Sequence, residues 1–390
     1  MRIVVTADQL WDGTRTIHQP FVLIDEGLIV SVASRTAHPL PPADCILQLD
    51  GSTLSPAFFD VHIHGAAGHD VMEATPEALD AIGSFLALHG TGSYLATTVT
   101  ASVDETLRSL SGLGKLIAQY SVNSSAPDAI ARPIGIHLEG PFLSHIKRGV
   151  HPVEHLLDPD IALFDRMFEA AEGNICLITL APELVGAVEF SKYVTARGVR
   201  VSMGHSNANA AEAHAAIDAG AVSATHTFNA MRALDHREPG ILGVTLATDS
   251  LFAELICDGV HVNPEIVRLW WRAKGPQRGL LVTDAMSATG MPDGTYQLGG
   301  FDVEVAHGRA TVGGVLAGSV LTLDHALENF IAFTGAPLDE ALRLLTTNPA
   351  TMIGLVDRVG GLVPGQPANL IAVDKSGKRL MSMQNGIQID

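Results

Sequence analysis

The stretch Leu54-Ser55-Pro56-Ala57-Phe58-Phe59-Asp60-Val61-His62-Ile63-His64-Gly65 decides how the rest of the chain is read. An apolar run leads into alternating polar and apolar residues. A strand sends successive side chains to opposite faces. Asp60, His62 and His64 therefore share one face, Phe59, Val61 and Ile63 share the other, and Gly65 ends the strand. Two imidazoles at the C-terminal end of one strand face can present two nitrogens to one metal ion. Taken alone, such a pair is more often hydrogen-bonded in a core or exposed at an edge.

Outward from this stretch the rhythm differs on its two sides. Before it, Ile3-Val4-Val5, Phe21 to Ile24 and Leu28 to Val32 are short strands. The turn clusters Asp12-Gly13 and Asp25-Glu26-Gly27 separate them, and Pro39, Pro41 and Pro42 close the unit. After it, apolar strand cores alternate with helical stretches, at 54–64, 93–100, 134–139, 175–181, 199–205, 222–227, 253–257 and 280–284. The helices have legible ends. Thr75 can cap a helix that begins at Pro76 and stops near Gly90. Ser102 with Glu105 forms a capping box, and the Ala-rich run 208–219 ends at Gly220. Eight strands is the number that closes a (β/α)8 TIM barrel, so an α/β fold of that kind is expected. Beyond the eighth strand, 296–313 reads as a β-hairpin insertion, helices are expected at about 321–333 and 337–346, and Ala368 to Val373 is a strand in the style of the N-terminal unit. The expected organisation is a barrel domain over 54–358 and a small β domain built from 1–53 and 359–390.

Composition agrees. A chain of 390 residues with 47% hydrophobic and 17% charged residues can bury a large core. A net charge of −18 argues against non-specific nucleic-acid binding, though a few local cations can still hold one small anion. Cys45, Cys176 and Cys257 are scattered and odd in number, which suits buried thiols in a reducing compartment. The N-terminal apolar stretch is too short for a signal peptide, and no apolar run is long enough to span a bilayer. A cytoplasmic protein without a membrane partner is expected.

In a barrel, functional groups sit at the C-terminal ends of strands. Glu139 ends the third, in Ile136-His137-Leu138-Glu139-Gly140-Pro141-Phe142. His205 ends the fifth, in Met203-Gly204-His205, His226 the sixth, in Ala224-Thr225-His226, and Asp284 the eighth, in Val282-Thr283-Asp284. Singly, each has an ordinary reading: a solvated loop acid, a hydrogen-bonded histidine, a helix cap. Together they converge on one mouth. One Glu and two His leave an open coordination position, as catalytic zinc sites have. His62 and His64 could hold a second ion or assist at the first, and Asp284 is left to move protons as general base and then general acid.

These stretches, together with Thr179 to Glu183, Gly204 to Ala208, Thr225 to Met231, Arg237-Glu238-Pro239-Gly240, Asp258-Gly259-Val260-His261 and Thr283-Asp284-Ala285, resemble the N-acetylglucosamine-6-phosphate deacetylases of the amidohydrolase superfamily. The resemblance implies a small split β-sandwich domain beside the barrel and hydrolysis of an N-acetyl amino sugar 6-phosphate to the amine and acetate. It implies Glu139, His205 and His226 as metal ligands, Asp284 as the catalytic acid/base and His151 as the group that polarises the acetyl carbonyl. It assigns Asn229, Ala230, Arg237 and His261 to the sugar phosphate, and Leu316, Ala317 and Gly318 to a loop along the sugar. It further implies a homodimer in which Arg237 and His261 reach the neighbouring site. Because this chain keeps His62 and His64, one or two divalent ions are expected, zinc first, with iron, cobalt or manganese as alternatives. On chemistry alone, the Arg237 fork suits a phosphate, but pairing with adjacent Glu238 would serve as well. Rival readings are the galacto epimer of the substrate, a different N-acyl substrate on the same ligands, and an inactive metal-binding or regulatory protein. The last is opposed by the presence of both Glu139 and Asp284.

Overall fold

The computed structural model describes residues 1–122 and 128–389. Phe58–Ile63, Thr91–Thr98, Arg132–Glu139, Ile175–Leu180, Arg200–Met203, Ala221–Ala224, Phe252–Ile256 and Gly279–Val282 form one parallel sheet in chain order. These are the eight expected strands. The residues of Thr91–Thr98 are all buried, as in a sheet covered on both faces.

The seam between the first and eighth strands is closed by unusual means. At the C-terminal end the Asp284 N–H donates to His62 O at 2.9 Å, and the His64 N–H donates to Ala285 O at 2.8 Å. Lower down, Leu344 and Leu345 wedge between the strands and accept from the Leu281 N–H (3.2 Å) and the Phe59 N–H (2.9 Å). Between these levels the Thr283 hydroxyl donates to Asp60 Oδ2 at 2.6 Å. Asp60 thus fastens the seam and does not face the mouth. Burial pushes its carboxyl up to about 7, against the pull of the Thr283 hydroxyl and the His62 amide.

The expected single strand over 54–64 is two elements. Cys45–Pro56 belongs to a terminal sheet and Phe58–Ile63 to the barrel. The change of partners falls at Ala57 and Phe58, whose N–H groups donate to Asn369 O and Gly90 O. In the terminal sheet, Leu370–Val373 pairs antiparallel with Thr53 to Pro56, so the C-terminal strand rejoins the N-terminal unit. The strands make one continuous eight-stranded sheet around its own apolar core, which includes Ile3, Val5, Val22, Ile24, Leu54, Leu370 and Met383.

The helix caps act where the sequence places them. Thr75 Oγ1 accepts from the Ala78 N–H and Pro76 opens the helix Pro76–Leu88. Ser102 and Glu105 exchange both bonds of a capping box. The Ala-rich helix is Ala210–Asp218, capped by Asn209 and Glu212. Two expectations change after the barrel. The hairpin is a four-stranded antiparallel sheet, Gly294–Leu298, Phe301–Ala306, Arg309–Val312 and Val315–Leu316, turning at Gly299-Gly300 and Gly313-Gly314. The helix expected over 337–346 is shorter, Leu338–Arg343, and an unexpected helix, Thr347–Ile353, follows it; between them Leu344 and Leu345 turn their carbonyls to the seam. Among the described residues no helix is long and apolar enough to cross a membrane.

Candidate active site

Glu139 ends its strand in regular geometry, but His205, His226 and Asp284 each lie two residues past theirs. All three have left-handed backbones, with φ of 45°, 26° and 50°. Such φ values are costly for residues other than glycine and persist where the surroundings over-determine them. Neighbouring bonds do so here. The Asp284 N–H is held by His62 O, and the Thr225 N–H donates to Met203 O. The strained turns aim three side chains inward over the barrel mouth.

There Glu139 is the hub. Its Oε1 lies 3.2 Å from His205 Nε2, 3.3 Å from His226 Nε2 and 3.4 Å from His62 Nε2. Its Oε2 lies 3.4 Å from His64 Nε2 and 3.5 Å from His151 Nε2. Asp284 Oδ1 lies 3.1 Å from His64 Nε2 and 3.5 Å from His62 Nε2. The far nitrogens are tied down behind. His62 Nδ1 meets Glu254 Oε2 at 3.2 Å, His64 Nδ1 meets Thr97 O at 3.0 Å, and His205 Nδ1 meets Lys147 O at 3.1 Å. Those oxygens accept, so each Nδ1 carries a proton and each Nε2 is turned into the cluster, to hold a second proton against a carboxylate or to offer a lone pair to a cation. Yet the Nε2 atoms of His62 and His64 face each other at 3.3 Å, and those of His205 and His226 at 3.0 Å. His226 Nδ1 has no hydrogen-bond partner, so the His226 proton is free to sit on Nε2 and bridge to His205, and four imidazole nitrogens this close to two carboxylates suit positive charge among them.

The electrostatics point the same way. Burial raises the Glu139 carboxyl, but the His62 charge and the hydrogen bonds of His151, His205 and His226 outweigh it and hold Glu139 well below the usual range. Burial also raises Asp284, and the charge of His62 with the hydrogen bond of His64 again prevails, leaving Asp284 low. For His64, burial lowers the imidazole, but the hydrogen bonds it donates to Asp284 and Glu139, with their negative charge, drive it up to about 9. His205 is pushed down to about 4, by burial first and then by His151. Buried carboxylates without a Lys or Arg among them therefore draw positive charge into the cluster. A divalent ion would satisfy this demand, and the nitrogen and oxygen donors suit one. Two groups have ligand atoms close enough to hold an ion: Glu139, His151 and His205, and His62, His64 and Asp284.

The cluster lies at the base of a cavity of about 300 Å³. His64, Glu139, His151, His205, His226, Asn229, Ala230, His261, Asp284, Leu316 and Gly318 line it, with Val99, Leu298 and Val315 on the apolar side. His62 is fully buried behind. His151 takes both the Thr100 hydroxyl (2.9 Å) and the Thr100 N–H (3.4 Å) at Nδ1, which leaves the proton on Nε2, facing the cavity. Asp258 Oδ2 holds His261 Nδ1 at 2.7 Å and so turns Nε2 outward.

Three expectations change. His261 lines the cavity of its own chain, so it needs no neighbour to reach a site; the Asp258 bond fixes it there. Ala317 does not line the cavity. Its side chain is buried, while its N–H donates to Ala310 O. Arg237 lies outside the cavity on an exposed loop. Glu238 does not pair with it, because that carboxylate accepts from the Ala210 N–H at 2.8 Å. Glu254 was missed by sequence reasoning. Its signal was a charge inside the apolar run Phe252-Ala253-Glu254-Leu255-Ile256.

The amidohydrolase family pattern matches residues 53–388. The chain is 37% identical over 352 residues to an N-acetylgalactosamine-6-phosphate deacetylase of Escherichia coli O157:H7, covering 90% of this chain and 89% of that one. It is 34% identical over 372 residues to an N-acetylglucosamine-6-phosphate deacetylase of Bacillus subtilis (strain 168), covering 95% and 92%. A solved structure of a mutant N-acetyl-D-glucosamine-6-phosphate deacetylase from Mycobacterium smegmatis, in complex with N-acetyl-D-glucosamine-6-phosphate, superposes with a TM-score of 0.90 at 35% identity over 99% of both chains. The chain belongs to the amidohydrolase family and, within it, to the N-acetylglucosamine-6-phosphate deacetylases.

Proposed function

We propose that the chain hydrolyses N-acetylglucosamine 6-phosphate to glucosamine 6-phosphate and acetate. The observation that carries this reading is the Glu139 hub with Asp284 beside it, at the base of a cavity whose wall is Asn229, Ala230 and His261. We assign one ion to Glu139, His205 and His226, with His151 near enough to approach it, and a second to His62, His64 and Asp284. Zinc is the first candidate for both. A divalent ion, when bound, polarises a carbonyl and makes water a better nucleophile at neutral pH.

The chain's own groups do the rest. Asp284 Oδ1 takes the proton of the attacking water and returns it to the departing nitrogen, since an amine leaves poorly without one. The His151 Nε2–H donates to the acetyl oxygen as negative charge develops there. Asn229, the Ala230 backbone and His261 hold the sugar and its phosphate, and Leu316 and Gly318 lie along the ring. Arg237 is too exposed to serve its own cavity, which supports a homodimer in which it reaches the phosphate of the other subunit. We divide the chain into a barrel over 54–358 and a small domain from 1–53 and 359–390, in line with the separate terminal core. Three free cysteines suit a cytoplasmic location.

Acetate release from a panel of N-acetyl sugars tests the reading. The gluco 6-phosphate should be fastest, and the galacto epimer is the necessary second arm given the Escherichia coli relative. Equal rates with and without the phosphate would sink the substrate assignment.

A further inference from the structure

Glu254 is the one buried carboxylate at the site to which the proposed chemistry gives no task. It sits in the middle of the strand Phe252–Ile256 and is wholly buried, and no Lys or Arg among the described residues pairs with it. One oxygen makes two bonds into the site. Oε2 lies 3.2 Å from His62 Nδ1 and accepts from the His226 N–H, also at 3.2 Å. The Glu254 carbonyl accepts from the Thr227 N–H at 2.8 Å. The strand thus grips both sides of the left-handed turn at His226, where φ is 26°. Oε1 is buried without a hydrogen-bond partner. A carboxylate kept in so dry a place, with half its capacity unused, costs stability unless its remaining bonds serve a purpose.

We propose that Glu254 is a positioning residue that sets the occupancy of the His62/His64 side of the centre: it fixes the proton of His62 on Nδ1, aims Nε2 at Asp284 and His64, and locks that ring to the turn carrying His226. This rests on the two-ion reading above. The reasoning is geometric. His64 and His205 are oriented by neutral backbone carbonyls, Thr97 O and Lys147 O. Among the proposed ion-holding histidines, His62 alone is oriented by a carboxylate, which makes its free nitrogen a stronger donor. Leucine at 254 would fill the volume and accept nothing. Glutamine would still accept but carries no charge.

The test uses the full-length protein, loaded with zinc and separately with cobalt. Elemental analysis gives ions per subunit, chelator competition gives the affinity of each ion, and the cobalt absorption spectrum reads the ligand geometry. The wild type should hold two ions and His62→Asn one. Glu254→Leu should weaken the second ion ~10–100-fold and alter the cobalt spectrum. Glu254→Gln should fall between the two, because the acceptor remains. Two ions in the wild type, with unchanged second-ion affinity and spectrum in Glu254→Gln and in whatever folded Glu254→Leu is obtained, would overturn the role of Glu254 alone. A wild type that saturates at one ion, undisturbed by His62→Asn, would overturn the two-ion reading and this inference with it.

Discussion

Asp284 illustrates how much a single residue's surroundings decide. Its Oδ1 sits 3.1 Å from His64 Nε2 and within reach of the cavity, so it can both touch an ion and exchange a proton with substrate. Asp284→Asn keeps an oxygen at the site and removes the basic one. Metal content and substrate binding should persist, while kcat falls ~10²–10⁴-fold, the usual worth of a general acid–base group. A loss under about tenfold with metal retained would mean that another residue moves the proton, and His151 would be the first to examine. Glu139 makes the complementary case. Its two oxygens contact five imidazoles, so Glu139→Gln should lower bound metal as measured by elemental analysis, and activity with it. Full metal content with full activity would refute the ligand assignment. The first-strand pair should behave differently again. His62→Asn with His64→Asn should take the metal count from two toward one and leave the thermal midpoint near that of the wild type; a wild type that binds one ion with metal in excess would end the two-ion idea. Most of these residues were legible because polar groups at strand ends in apolar runs have few uses. Glu254 was not, because it lies in mid-strand and acts through atoms of His62 and His226 that are distant in sequence.

The elements were legible where local rules set them. Caps at Thr75 and Ser102 and the apolar strand cores follow from hydrogen-bond chemistry and side-chain periodicity within a few residues. The partner change at Ala57 and the break at Leu344-Leu345 were not, since each depends on a distant backbone group, Asn369 O in one case and the Phe59 N–H in the other. Junctions between elements also carry the ionisable groups that matter for stability. Asp324, at the start of the helix Leu323–Thr334, meets His89 Nδ1 at 3.0 Å and Arg379 Nε at 3.5 Å, joining that helix to the end of Pro76–Leu88 and to the terminal sheet. Burial raises its carboxyl, but the hydrogen bond and charge of His89 outweigh this and leave it below its ordinary value. A carboxyl depressed by folding contributes stability in full above its unfolded pKa, ~3.9, and loses it as pH falls through the folded value. The thermal midpoint gap between wild type and Asp324→Asn should therefore be widest near neutral pH and close below about pH 4. A gap that stays constant from pH 7 to pH 3 would show that the charge of Asp324 contributes nothing.

At the scale of the whole molecule, one side of the proposed active site is incomplete. The cavity supplies neutral and histidine donors for a phosphate, Asn229, Ala230 and His261, but among the described residues no Lys or Arg lines it. With a net charge of −18, the chain's overall field does not favour an anionic substrate, so a local cation is needed. Arg237 is the candidate: it is exposed, Glu238 is engaged elsewhere, and its backbone is set by the Asp235 carboxylate, which accepts the Arg237 N–H at 2.8 Å. If it completes the site of a second copy, Arg237→Ala should lower kcat/KM for the phosphorylated sugar ~10–100-fold, the range for a lost charge-assisted contact, and change the rate on the unphosphorylated sugar little. That result alone would not say which subunit supplies it. A mixed dimer does. Arg237→Ala and Asp284→Asn are each impaired tenfold or more as homodimers at low substrate under this scheme, but a heterodimer places the intact Arg237 of the second variant over the intact Asp284 of the first. One of its two sites is then whole, and activity should return to about half the wild-type value per dimer, while the other site lacks both groups. Were Arg237 to act in its own subunit, every site in the mixture would lack one group and no activity would return.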